Sequence, residues 1–243
     1  MSLAQPHLAP ASHRRPGGGD RTRVPSWLVL WPLALGAAIL TALWFGPLPQ
    51  RAQGSFAAHM VMHMGVVAVA APLLAIGLLR LFPRRFSRMT PALAIVASFA
   101  EFAVVWTWHA PALHDAARTD GALFMAEQAS FLAAGLFVWI AAIGTRDAMS
   151  RGARAAGTLA LLVTSMHMTL LGALLLLSPR PLYACADLCA PAATFTPLGD
   201  QQLGGVVMLI VGGASYLAGG LALLASVLRQ RTAPHGDEAE GVS

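Results

Sequence analysis

Two histidines four residues apart, His59 and His63, stand at the start of a long apolar run, each with a methionine beside it: His59-Met60-Val61-Met62-His63-Met64. A third imidazole lies in a separate apolar run, again between methionines, at Met166-His167-Met168. Imidazole beside thioether is a ligand mixture that suits copper, and Cu(I) in particular. On a helix, residues at i and i+4 share a face, so His59 and His63 can share an ion. Met60 and Met64 form a parallel pair about 100° further round. Polar groups at membrane depth are costly and mark functional sites by default. Glu101, in the third apolar run, belongs to the same class, as a functional carboxylate or proton-handling group. Plainer readings stand beside these. His167 reads equally well as a histidine bonded to neighbouring backbone, and methionines such as Met62, Met125 and Met208 also serve as gap-fillers in apolar cores. Trp106 and Trp108 suit an interfacial aromatic belt.

The elements that must position these residues are membrane helices. Of 243 residues, 56% are hydrophobic and 11% charged, against about 25% charged in soluble domains. Six apolar segments, near 27–45, 56–79, 92–108, 122–143, 156–177 and 203–228, approach or exceed the length of about 20 residues that a spanning helix needs. Helices are the form that satisfies such backbones in lipid. The fold class expected is therefore all-α, a polytopic bundle of about six spans over residues 26–229. Disordered tails are expected at 1–25 and 230–243. All sixteen basic residues are arginine, and thirteen lie in the N-terminal tail, the 80–88 and 146–154 connections and the C-terminal edge. Arg51, Arg118 and Arg180 are the three in the other connections. That asymmetry puts both termini in the cytoplasm and argues against a nucleic-acid stripe.

With this topology the chemistry-bearing residues collect on the outer side. His59 and His63 occupy the first turns of span 2, and His109 ends span 3. His114, Asp115 and Asp120 follow in the outer loop, and Glu127 and Gln128 open span 4. Asp200, Gln201 and Gln202 open span 6, with Met208 about two turns deeper. Cys185 and Cys189 share an outer loop and read as a local disulfide, a thiol pair or a copper relay. Gly205, Gly212 and Gly219 repeat along span 6, a small-residue stripe for close helix packing that also leaves a homo-oligomer open. No P-loop, dinucleotide, zinc-protease or covalent-haem motif is present, so a non-enzymatic role is expected.

Four stretches resemble a known family: His59–Met64 leading to Ala71-Pro72-Leu73-Leu74; Trp106-Thr107-Trp108-His109-Ala110-Pro111-Ala112-Leu113; Phe131 to Trp139; and Asp200-Gln201-Gln202-Leu203-Gly204-Gly205. The chain is similar to the membrane-integral cytochrome c oxidase assembly factor family CtaG, found with caa-type oxidases. It does not resemble the single-span copper chaperone that shares the name. The resemblance implies a multi-pass bacterial inner-membrane protein that helps copper reach cytochrome c oxidase subunits, with a periplasmic copper chaperone as the candidate donor. His63, His109 and Asp200 fall on the family's motif residues. Many members carry Glu-His where this chain has Glu127-Gln128, and commonly Tyr where it has His114. The expected ligands are His59, His63 and His109, with Met60, Met64 and Met208 as soft contributors. Asp200, Glu127, Glu101, His114 and His167 supply a supporting shell or proton handling. A haem-binding redox protein and a metal-free scaffold working through the span 6 glycines are the alternatives.

Overall fold

A computed structural model describes residues 26–86, 90–144, 151–183 and 195–229. The tails expected at 1–25 and 230–243, and Cys185 and Cys189, lie outside the described residues. Helix α1 (Ser26–Phe45) breaks at Gly46-Pro47, where the chain bends by 50° into the short α2 (Leu48–Gly54). Then come α3 (Phe56–Leu81), α4 (Pro91–Trp108), α5 (Pro111–Thr119), α6 (Gly121–Ile143), α7 (Arg151–Leu177) and α8 (Pro197–Arg229). Five of these are long and apolar enough to cross a membrane, and a sixth span results if the bent α1–α2 pair is one. The described residues are thus a multi-pass helical bundle, as the apolar runs predict.

Helix starts follow local chemistry. Pro91 and Pro111 stand in the first turns of α4 and α5, where a missing N–H costs nothing and φ is already helical. The Asp120 carboxylate accepts from Ala122 N at 2.7 Å and Leu123 N at 3.1 Å, capping α6. Thr196 caps α8 through Gly199 N at 3.1 Å.

Two expectations change here. The outer loop carrying His114 is not a loop but α5, whose buried face holds His114, Ala117 and Arg118. Two of its three buried positions are polar, so its apolar residues do not mark the face that it buries. Span 6 begins six residues before Leu203, at Pro197, which places Asp200 and Gln201 inside the helix.

The span 6 glycines do pack closely, and against this chain's own helices. A Cβ on Gly205 would stand 2.7 Å from Leu176 N and 2.8 Å from Gly172 O, so α7 and α8 touch backbone to backbone. Gly212 faces Met64 and Met168, and Gly219 faces Trp139 and Leu161. Both α3 and α8 contain a π-helical turn, Gly65–Ala70 and Met208–Gly212. The carbonyls freed in α3 are taken up by side chains: Val67 O accepts from Trp139 Nε1 and from the Tyr216 hydroxyl, each at 3.1 Å, and Ala68 O from Ser215 Oγ at 2.6 Å. The π turn thereby joins α3 to α6 and α8.

Replacing Gly205 by Leu forces α7 and α8 apart. We expect destabilisation of at least about 1–3 kcal/mol, the usual cost of overpacking. Thermal melting of the detergent-solubilised protein measures it; an unchanged midpoint would contradict the close α7–α8 approach.

Candidate functional site

The site is set by how α3 begins. Ser55 caps the helix by accepting from Ala58 N at 3.1 Å, and its own Oγ donates to Asp200 Oδ1 at 2.8 Å. Phe56 N donates to Asp200 Oδ2 at 2.5 Å and Ala57 N lies 3.4 Å from Oδ1. A carboxylate from α8 therefore sits on the positive end of α3, satisfying its free N–H groups and fixing its rotation. This is the place of Asp200: it positions α3 rather than facing the imidazoles.

With α3 so turned, its methionines and histidines part company. Met60 and Met64 are fully buried over the glycines of α8: Cβ atoms on Gly204 and Gly212 would lie 2.9 Å from Met60 Cγ and 2.8 Å from Met64 Sδ. Met208, also fully buried, belongs to the π turn of α8 that packs on α3. The structure places these three sulfurs in the α3–α8 seam. Met125 and Met166 are mostly exposed, at 68% and 66%.

The imidazoles leave α3 on the other face and join those of α4 and α5 in a buried file. From His114 to His59 the ring centroids are 5.0 Å apart, from His59 to His63 6.5 Å, and from His63 to His109 5.4 Å. Phe131 of α6 packs 3.8 Å from the His63 ring and closes the file from the side. His109 Nδ1 lies 2.7 Å from Val105 O. A carbonyl only accepts, so Nδ1 carries the proton and Nε2 presents its lone pair. That Nε2 is buried without a partner, as are both nitrogens of His63. Buried polar atoms almost always have partners, so these nitrogens are among those in the file that could take a ligand.

Arg118 and Glu127 complete the other end. One ligand atom each from His59, His114 and Glu127 lie within 4.8 Å of one another, all buried. The Arg118 guanidinium is only 7% exposed; it pairs with the Glu127 carboxylate and donates Nη1 to His59 Nδ1 at 2.6 Å. His59 Nε2 stands 3.5 Å from Glu127 Oε1, an electrostatic contact too long for a good hydrogen bond. Gln128 donates to Glu127 Oε2 at 3.3 Å and accepts from Trp44 Nε1 at 3.3 Å. Tyr183 covers the end of the file: it stacks on Phe56 at 4.6 Å, lies 4.3 Å from the His114 ring and donates its hydroxyl to His109 O at 3.0 Å.

Burial shapes the charges. It pushes His109 down to about 4, against the upward pull of its bond to Val105 O, and the Arg118 charge pushes it down further. His114 falls well below the ordinary histidine range, from burial first and then from Arg118 and His109. Both rings are neutral at pH 7 and can act as ligands. Burial also works against the Arg118 charge, and Glu127 restores part of it.

The remaining candidates lie elsewhere. His167 of α7 is buried with neither nitrogen bonded, edge-on to Phe102 at 5.4 Å. Glu101 is fully buried and bonded to the Tyr216 hydroxyl, beside the π turn of α3. Trp108 donates to Ser130 Oγ at 2.8 Å. Sequence reasoning does not place Arg118 or Tyr183 in the site, although the segment Ser178–Tyr183 fits the outer loop of the family the chain resembles. Arg118 reads in the sequence as an ordinary connection arginine, and the one available signal is its i,i+4 spacing from His114.

These features define a class: a polytopic helical membrane protein with a cluster of imidazoles buried at one end of the bundle. Over residues 8–230 the chain matches the cytochrome c oxidase caa3 assembly factor family (Caa3_CtaG). The chain belongs to that family, the one its motifs resemble. No curated protein and no solved structure matches it.

Two outcomes follow from this geometry. Asp200→Ala removes the anion from the start of α3 and should cost about 1–2 kcal/mol, read as a lowered melting midpoint, with Asp200→Asn intermediate; a wild-type midpoint for both would refute the clamp. Between pH 6.5 and about 4 an unfolded His109 takes up a proton that the folded one refuses. Stability therefore falls as pH drops through that window, and His109→Gln flattens the slope. Melting at about pH 7.5 and about pH 5 tests this; equal slopes in the two proteins would count against a buried neutral His109.

Proposed function

We propose that the protein binds Cu(I) among its buried histidines and helps deliver it to a cytochrome c oxidase subunit during assembly. The observation that carries this reading is the His63–His109 pair. The Val105 carbonyl fixes the tautomer of His109, as outer-shell carbonyls do for metal-bound histidines. Its Nε2 lone pair is left unpartnered beside a His63 ring whose two nitrogens are also unpartnered. Neutral imidazoles suit copper, and His59, His114 and Glu127 extend the ligand set toward the end of the bundle. Several separate donors suit a carrier better than a closed cage does, because a carrier must release its ion. The arginine asymmetry supports an outward orientation of this end in a bacterial inner membrane, where a periplasmic copper donor could reach it.

The alternatives have less support. The His63 face is filled by Phe131 at 3.8 Å, leaving no flat slot for a haem there. A cleft of about 340 Å³ is lined by Trp44, Phe45, Phe124, Met125, Gln128 and Ala129, without a histidine. A scaffold acting through the α8 glycines meets the difficulty that Gly205, Gly212 and Gly219 already pack against this chain's own helices.

Anaerobic Cu(I) titration of purified protein tests the proposal. Wild type should bind at least one equivalent, and His59→Ala/His63→Ala should weaken binding by at least about tenfold and lower oxidase activity in membranes. Full binding together with full oxidase activity in the double variant would sink the copper reading. A stoichiometric Soret band in the purified protein would favour haem instead.

A further inference from the structure

Arg118 contacts two of the three groups, His59 and Glu127, that come together with His114. Arginine offers donors only and stays charged in proteins. In its bond to Arg118, His59 Nδ1 must therefore accept, which puts the ring proton on Nε2. One nitrogen is occupied by the guanidinium and the other by a proton, so His59 has no lone pair to give. The Glu127 carboxylate is likewise engaged by the same guanidinium. As it stands, His59 offers no lone pair and the Arg118 charge sits against Glu127, although Glu127 Oε1 and His114 Nδ1 have no hydrogen-bond partner; both nitrogens of His63 and Nε2 of His109 are also unpartnered.

The charge count says what would free His59 and Glu127. Arg118 and Glu127 cancel, and a buried site tolerates net charge poorly. Adding a monovalent ion with Arg118 in place leaves one uncompensated positive charge beside a guanidinium. Exchanging the guanidinium for that ion leaves Glu127 balanced as before. A divalent ion in the same exchange leaves an excess positive charge. A small cleft of about 20 Å³, the size of about one water, lined by Gln53, Ser55, His114, Arg118 and Tyr183, lies next to the guanidinium, so the exchange requires these side chains to give way as Arg118 moves. Ala52 O, already 3.5 Å from Arg118 Nη1, is an acceptor on that side. Once Arg118 turns into the cleft, the His59 proton shifts from Nε2 to Nδ1, and Nε2 and Glu127 become ligands together.

We propose that Arg118 is a resident cation that occupies His59 and Glu127 when the site is empty. It exchanges one-for-one with a monovalent metal ion, and so disfavours divalent ions and speeds release. This rests on the Cu(I) reading above and adds to it the regulation of the same site.

The test is competitive titration of the full-length protein in detergent with Cu(I) and, separately, Zn(II). Arg118→Gln should bind Cu(I) on the order of tenfold more tightly, release it more slowly to a chelator, and gain more in Zn(II) affinity than in Cu(I) affinity. Arg118→Lys, which keeps the charge, should stay near wild type. Because Arg118→Gln leaves Glu127 buried without its partner, a second pair of variants guards against loss of folding. Glu127→Gln alone should weaken Cu(I) binding, since the guanidinium then has no counter-charge, and adding Arg118→Gln should restore part of it. Unchanged or weaker Cu(I) binding in Arg118→Gln, or no restoration in the double variant, overturns the exchange while leaving the copper reading intact. Failure of wild type to bind Cu(I) overturns both.

Discussion

A polar group inside an apolar helical bundle has to find its partner in the protein, because lipid supplies none. Most of this fold can be traced to that constraint. Asp200 takes the free N–H groups at the start of α3, Asp120 those of α6, and Trp139, Tyr216 and Ser215 take the carbonyls that the π turn of α3 releases. Each of the bonds from Asp200, Trp139, Tyr216 and Ser215 also ties one helix to another. Against that background the unpartnered imidazole nitrogens of His63, His109 and His167 stand out.

The rotation of α3 converts this into a site. Residues 59 and 63 share one face and residues 60 and 64 the next, so anchoring the helix by Asp200 decides both at once. The thioethers fill the space above the α8 glycines, and the imidazoles turn toward α4, α5 and α6. The adjacency of His and Met in the sequence is therefore a packing seam lying beside a face of buried imidazoles. On this geometry the nitrogen donors form the coherent group, and the sulfurs hold the helix that carries them.

How much of this was legible in the sequence depends on the range of the interaction. The spans follow from apolar runs, which are local, and so does the shared face of His59 and His63. The glycine stripe predicted a close helix contact, and Gly172 and Gly205 make one. Arg118 was not legible, because its partners come from α3 and α6 and a count of arginines by connection treats it as a surface charge. Helix α5 was hidden for a related reason. Its buried face carries His114 and Arg118, so the polar residues lie inside and the usual pattern is inverted. Asp200 carried the family motif without disclosing its job, since an N-terminal clamp on another helix leaves no trace in local spacing.

The departure at position 128 then has a physical consequence. Where many relatives carry histidine, Gln128 bridges Glu127 to Trp44 of α1 and adds no imidazole to the file. The imidazole next to Glu127 comes instead from His114, on α5. His114 and Arg118 are four residues apart on the same buried face of that short helix. A ligand on α6 would be held by a long spanning helix and would be independent of the guanidinium. Here one donor and the competing cation share a nine-residue helix, so a displacement of α5 that moves Arg118 off Glu127 also moves His114. In the proposed exchange, ligand supply and charge release are coupled through this one helix.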